Sequence, residues 1–202
     1  MNTPAATSSS AVSRRTQADR RAETRAALLD AARALFIEKG YADTGTPEIV
    51  AKAGLTRGAL YHHFTDKADL LRAVAEREAR LVASAIEGSH APSSHVRDEL
   101  EVGTRAYFQA MSEPGRALLL LVIAPAALGT KTSADLTHGI GMTQLREGLS
   151  AALTDTGPNE LDAMTDVLSA AFDRAVVAIA EGADAEAYVQ VMLRVVRKVS
   201  GG

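Results

Sequence analysis

The chain has 202 residues, 47% of them hydrophobic and 23% charged, with a net charge of −3 and no cysteine. That apolar content suffices for one or two packed domains, and the lack of cysteine excludes disulfides, thiol nucleophiles and cysteine-ligated zinc. No run approaches the ~18 consecutive apolar residues of a membrane span; the longest, residues 117–127, is broken by Pro125.

Residues 1–13 are rich in Ser, Ala and Thr and lack the apolar stretch of a secretion signal. They predict a cytoplasmic protein whose residues 1–19 form a disordered basic arm. The charge is divided unevenly. Residues 1–67 hold 10 Lys or Arg against 7 Asp or Glu, a balance of +3, and the remainder holds 12 against 18, a balance of −6. Arg14, Arg15, Arg20, Arg21 and Arg25 fall in and just after the leader. Such an arm can reach along a DNA minor groove, or serve only as a solvated leader.

From about Arg20 to Lys39, Ala27, Leu28, Ala31, Ala32, Leu35 and Phe36 recur at the spacing of one buried helical stripe. Gly40 ends it, because glycine enters the left-handed position after a helix without steric cost. Thr46, Pro47 and Glu48 predict a second helix over about 47–53: a hydroxyl for an orphan N–H, a proline for the first turn and an acid for the positive end of the dipole. Gly54 and Leu55 form a short turn, and Thr56 caps a third helix. In that helix Leu60 and Phe64 share one edge. Gly58, Tyr61 and His62 lie roughly 100–160° around from Leu60. Arg57 sits in the first turn, the end that enters a major groove. Two short helices joined this way make a helix-turn-helix.

These residues resemble the DNA-binding domain of the tetracycline-repressor (TetR) family over about residues 20–71. The match rests on Gly40-Tyr41, Glu48-Ile49-Val50-Ala51, Ala53-Gly54-Leu55-Thr56, Gly58, Leu60-Tyr61, His63-Phe64, Lys67 and Leu70-Leu71. Gly45 and Pro47 depart from the usual pattern and blur only the helix boundary. The resemblance implies that Thr46 contacts a phosphate and that Thr56, Arg57 and Gly58 meet base edges. It implies further that Tyr61, His62 and His63 grip the backbone and that Lys67 binds a phosphate. Arg57 is the expected sequence reader, since a guanidinium can bind guanine in bidentate fashion.

Thr65 predicts the cap of a fourth helix running to Gly88, the lever between two domains. Further helices are expected from about His95 to Met111, from Pro114 to a kink at Pro125, over about 134–153, over 160–181 and over 185–199. The apolar period never switches to two. The expectation is an all-α protein of about nine helices, with a DNA-binding domain over 20–67 and a helical effector-binding and dimerisation domain over 68–202.

The last two helices carry more apolar residues than one stripe needs: Leu161, Met164, Leu168, Ala171, Phe172, Ala175 and Ile179, then Tyr188, Val191, Met192 and Val195. Deep burial or a partner surface must cover them, and the resemblance implies a four-helix homodimer interface. It also implies a ligand pocket among the middle helices. Tyr107, Phe108, Met111, Leu118, Leu121, Met142 and Phe172 are candidates for its walls. Arg105, His138, Gln144 and Arg146 are candidates for its polar groups, and a small or medium apolar effector is expected.

No nucleophile elbow, phosphate-cradling loop or zinc-protease motif stands in the sequence, so neither catalysis nor a metal or other cofactor is expected. His90 and His95 lack an accompanying acid pattern. The reading is a ligand-responsive regulator, a repressor by family habit, that binds a palindromic operator as a homodimer. The competing reading is an architectural DNA binder of low specificity without an effector.

Overall fold

The computed structural model describes residues 16–89, 96–129, 141–153 and 155–201, and among them the chain is helical with no strand. Helix α1 spans Gln17–Lys39. Thr16 Oγ1 accepts the Asp19 N–H at 3.1 Å and Asp19 Oδ2 accepts the Thr16 N–H at 2.9 Å, a reciprocal cap. The helix thus begins three residues before the expected start. Residues 17–19, together with Arg20, Arg21 and Arg25, belong to a helix and not to an arm. Arg14 and Arg15 lie outside the described residues.

Gly40, at φ 82°, closes α1 as expected. Helix α2 covers Thr46–Lys52. Its cap is Gly45, whose N–H reaches Glu48 Oε2 at 3.4 Å, so Thr46 lies in the first turn and not at the cap. Gly54, at φ 67°, makes the turn, and α3 spans Arg57–His63 with Thr56 Oγ1 accepting the Ala59 N–H at 3.2 Å. Helix α4 spans Lys67–Ser89. Here too the cap shifts by one: Asp66 Oδ1 accepts the Asp69 N–H at 2.7 Å, while Thr65 donates its own N–H to Asp69 at 2.9 Å. A carboxylate outcompetes a hydroxyl beside the helix dipole.

Helix α5 covers Val96–Met111, and α6 follows in three pieces, Arg116–Leu118, Leu119–Ile123 and Ala124–Leu128, after a 93° change of direction. The middle piece is a π turn, in which the Ala124 N–H bonds to the Leu119 carbonyl. Pro125 supplies the cause: it has no N–H to donate, and its ring crowds the carbonyl four residues back. Helices α7 (Met142–Ala152), α8 (Pro158–Ala180) and α9 (Ala185–Val199) complete nine helices among the described residues.

Two cores result. Leu28, Phe36, Ile49, Leu60, Leu70 and Leu71 are fully buried in the first, each contributing roughly 1.5–3 kcal/mol by leaving water. The second gathers Val82, Ile86, Phe108, Phe172, Val176 and Val196 from α4, α5, α8 and α9. Helix α4 serves both: Leu70 to Val74 face the first core and Ala75 to Ile86 the second. The hand-over between the two clusters along α4 falls between Val74 and Ala75. Helix α6 is shared too, Leu119 and Ile123 with the first core, Leu120 and Ala124 with the second.

Glu78 of α4, only 2% exposed, sits at this junction. Its carboxylate meets Arg33 of α1 at 3.0 Å and Arg116 of α6 at 2.8 Å, and Arg33 also donates to the Pro114 carbonyl at 3.0 Å. One buried charge thus joins three helices from both halves. No single described helix is long and apolar enough to cross a membrane.

Candidate nucleic-acid interface and ligand cavity

Leu60, fully buried, pins one side of α3 into the first core, with Phe64 just beyond its end. That packing turns Arg57, Gly58, Tyr61 and His62 outward, and all four are exposed. The Arg57 guanidinium lies 5.6 Å from the centre of the Tyr61 ring. The Thr46 hydroxyl, and after it Arg57, holds the Tyr61 phenol below its ordinary pKa. Thr46, Arg57 and Tyr61 therefore form one cluster in which the start of α2 meets the outer face of α3.

Gly58 is informative through what surrounds it. A Cβ there would meet only Thr56 Oγ1, at 3.9 Å. The protein leaves room for a side chain, and a helical glycine costs roughly 1 kcal/mol relative to alanine.

His63 is partly buried beside Phe64, with His62 at 5.5 Å between ring centres. Burial first, then the positive charges of His62, Arg21 and Arg25, hold its imidazole below the usual histidine range. Arg25 stacks over the Phe64 ring at 5.2 Å. Arg21 and Arg25 thus bring positive charge from α1 beside the end of α3.

Lys67 differs from the expectation. Its ammonium donates to the carbonyls of Tyr41 at 2.8 Å, Thr44 at 2.9 Å and Ala42 at 3.4 Å, and it lies 4.3 Å from the Tyr41 ring centre. All three of its donors are committed to the loop between α1 and α2. It holds that loop in place; a phosphate would have to displace carbonyls to reach it.

The second feature is a cavity of about 890 Å³ between the end of α4 and helices α5, α6, α7 and α8. Of the expected wall residues, Tyr107, Met111, Leu121, Met142 and Phe172 line it, as does Gln144. Phe108 is not among the lining residues: it is buried in the core against Phe172, ring centres 5.7 Å apart. Leu118 is 39% exposed and lies off the cavity. Arg105 is exposed and does not line it, and Arg146 pairs with Asp162 at 2.7 Å. His138 lies outside the described residues.

The polar lining has the opposite sign from the one expected: Glu87, Glu99, Glu147, Asp166 and Asp173. Tyr107 donates its hydroxyl to Asp173 at 2.8 Å. Burial pushes the Asp173 carboxyl above the usual range, partly opposed by that hydrogen bond, and burial also pushes Tyr107 well up. A helical signal for this wall does exist in the sequence. Glu99, Gly103, Tyr107 and Met111 fall on one face of α5, and Asp166, Ser169 and Asp173 on one face of α8. Gly148 lets α7 come close to α5, since a Cβ there would lie 2.4 Å from Leu100.

The expected partner surface on α8 and α9 divides. Leu161, Leu168, Phe172, Ala175 and Met192 are buried within the chain itself. Leu161 and Leu168 pack with Leu149, and Phe172, Ala175 and Met192 belong to the second core, where Ile179 adds a partly buried contact. Tyr188 and Val191 remain 37% and 45% exposed, with Met164 and Val195 partly so. Val167, absent from the sequence-based set, is 69% exposed on the same side of α8 as Met164.

Outward-facing α3 on a small filled core, joined to a larger helical body with a cavity, defines a helix-turn-helix regulator. Residues 28–74 match the model of bacterial regulatory proteins of the tetR family, and residues 97–202 match that of a tetracyclin repressor-like C-terminal domain. The chain belongs to the TetR family, whose members are transcriptional regulators and not enzymes. It is 35% identical over 99 residues to the transcriptional repressor BepR of Brucella suis (47% of each chain), and 30% identical over 101 residues to the transcriptional activator FasR of Mycolicibacterium smegmatis (50% of this chain, 46% of that one). These matches span about half the length of the curated relatives. A TetR-family regulator from Pectobacterium atrosepticum has a similar solved structure, with a TM-score of 0.66 and 29% identity, over 92% of this chain and 95% of that one.

Proposed function

We propose that this chain is a ligand-controlled repressor that binds a palindromic operator as a homodimer. The observation that carries the DNA contact is the outward cluster of exposed Arg57, Gly58 and Tyr61 beside half-buried Thr46, with a glycine the protein's own packing does not require. Arg57 reads a base edge, and Thr56 caps the helix that presents it. Thr46, Tyr61, His62 and His63 hold the phosphate backbone, and Lys67 acts through the loop it supports. Residues 17–74 carry these contacts, and the rest of the chain carries effector and partner.

The unsatisfied apolar stripe of Val167, Tyr188 and Val191 supports a second copy docking on α8 and α9. Two such copies would set their α3 helices in successive major grooves, about 34–36 Å apart. The cavity supports effector binding, and two routes lead from it to α3. One is α6, where Leu121 lines the cavity and its neighbours Leu119 and Ile123 sit in the first core. The other is Glu78 with its two arginines. Coupling of roughly 1–3 kcal/mol would be typical and reciprocal.

Selection from random duplexes followed by competition tests the reading. It requires a two-fold symmetric site preferred over random DNA by at least ~10³. Equal affinity for both would favour an architectural binder instead.

A further inference from the structure

The effector reading leaves the chemical class of the ligand open, and the cavity wall narrows it. Among the described lining residues there are five carboxylates and no Lys, Arg or His. Glu87, Glu147 and Asp166 stand at exposed positions, while Glu99 and Asp173 are more sheltered. They are dispersed; no group of three among the described residues could hold a metal ion.

The hydrogen bonding has the same polarity. Thr104 donates to the Leu100 carbonyl and Tyr107 to Asp173, each at 2.8 Å, so these hydroxyls are spent, leaving Ser169 as the uncommitted one. Gln144 Nε2 donates to Glu87 Oε1 at 3.1 Å, which fixes the amide orientation because a carboxylate only accepts. That leaves Gln144 Oε1 buried in the cavity wall without a partner. A buried acceptor without a donor, set among carboxylates, calls for a ligand that brings donors or positive charge. The remaining wall is apolar, with the Tyr107 and Phe172 rings 5.4 Å apart and edge to face beside Met111 and Leu121.

We propose that the cavity takes an amphipathic organic cation, its apolar body against Tyr107, Phe172, Met111 and Leu121 and its charge facing Asp173 and Glu99. The cavity volume is in the range of sites for drug-sized molecules. A cation with delocalised or shielded charge is cheap to desolvate and is drawn to aromatic faces as well as carboxylates. The exposed carboxylates raise its local concentration at the entrance. An anionic amphiphile would meet like charge with only the Ser169 hydroxyl to compensate.

This inference rests on the effector reading above, and one pair of probes separates the two. Calorimetric titration of the full chain with tetraphenylphosphonium and with tetraphenylborate compares ions of nearly equal shape and opposite charge. The phosphonium binds once per chain and the borate does not. Asp173→Asn and Glu99→Gln each weaken phosphonium binding about tenfold, whereas Glu181→Gln, remote from the cavity, leaves it unchanged. Thermal unfolding of Asp173→Asn shows whether the fold is intact, since burial already opposes the native charge there. Absent phosphonium binding, borate binding of equal or greater strength, or an unaltered affinity in both cavity variants overturns the proposal. Mobility shifts on the same preparations keep the readings apart. Operator binding released by a neutral or anionic compound, with no phosphonium binding, ends this inference and leaves the repressor standing; absent operator binding ends the repressor, while the titration still decides the cavity.

Discussion

In the N-terminal half Leu28, Phe36, Ile49 and Leu60 close on one another at zero exposure, whereas in the C-terminal half Tyr107, Met111 and Phe172, each below one-tenth exposed, surround about 890 Å³ of open space. The proposed function gives this difference a reason. A short helix can present Arg57 and Tyr61 in register only if the core beneath it is filled and leaves it one position. A body that admits a molecule has to leave part of its interior unfilled, and its stability then rests on the packing around the void.

Truncation tests that contrast most strongly. Leu60→Ala removes a fully buried side chain from a filled core and should cost about 3 kcal/mol. Met111→Ala borders space that already exists and should cost about half as much; urea unfolding of both variants measures the ratio. Equal losses would mean that the two halves are packed alike.

Glu78→Gln asks whether the halves are joined as well as different. Removing one partner of a buried ionic cluster typically costs 3–5 kcal/mol. Arg33 and Arg116 keep some solvent contact, at 21% and 12% exposure, so about 2–3 kcal/mol is expected here. Effector-induced loss of DNA affinity should shrink as well, in a titration of operator binding with and without ligand. Unchanged coupling would place the whole route in α6.

Smaller effects sharpen the account of the N-terminal half. Lys67→Ala should lower thermal stability by about 1.5 kcal/mol, through three lost carbonyl contacts, and leave the salt dependence of DNA binding as it was. A salt slope reduced by about one would restore Lys67 to a phosphate.

The smallest effect is a pH dependence in the other half. The folded pKa of Asp173 lies above its unfolded value, so the folded state holds this proton more tightly than the unfolded chain does. Its contribution opposes folding once it ionises: stability falls as pH rises from about the ordinary aspartate value through the raised one, and it stays lowered at neutral pH. Asp173→Asn should remove that fall and raise the melting temperature at neutral pH. A fall of the same size in the variant would place the titration elsewhere.

The N-terminal half was legible because its signals are local. Gly40, Gly54, Thr56 and the edge shared by Leu60 and Phe64 each act within a few residues, and the structure shifts the caps of α2 and α4 by a single position. What escaped depends on contacts distant in sequence. Nothing near Lys67 shows that its ammonium meets carbonyls 23 to 26 residues back. Nothing near Glu78 announces two arginines on other helices. On α8 and α9, apolar residues spread over two faces, and periodicity cannot say which face turns inward. Leu161 and Leu168 turn inward against Leu149, although their spacing fits a partner surface equally well, while Val167 between them is 69% exposed. The cavity walls were partly legible through Tyr107, Met111 and Phe172; their charge was not, because acidic residues on a helix resemble an ordinary solvated face until neighbouring helices enclose them.

The face of α3 is tested most directly by repeating the selection from random duplexes with wild type and Arg57→Ala side by side. Loss of base preference at one symmetry-related pair of positions is expected, with about 1–3 kcal/mol of discrimination gone there and the rest of the site retained. An identical consensus from both proteins would contradict the assignment of α3 as the element that reads DNA.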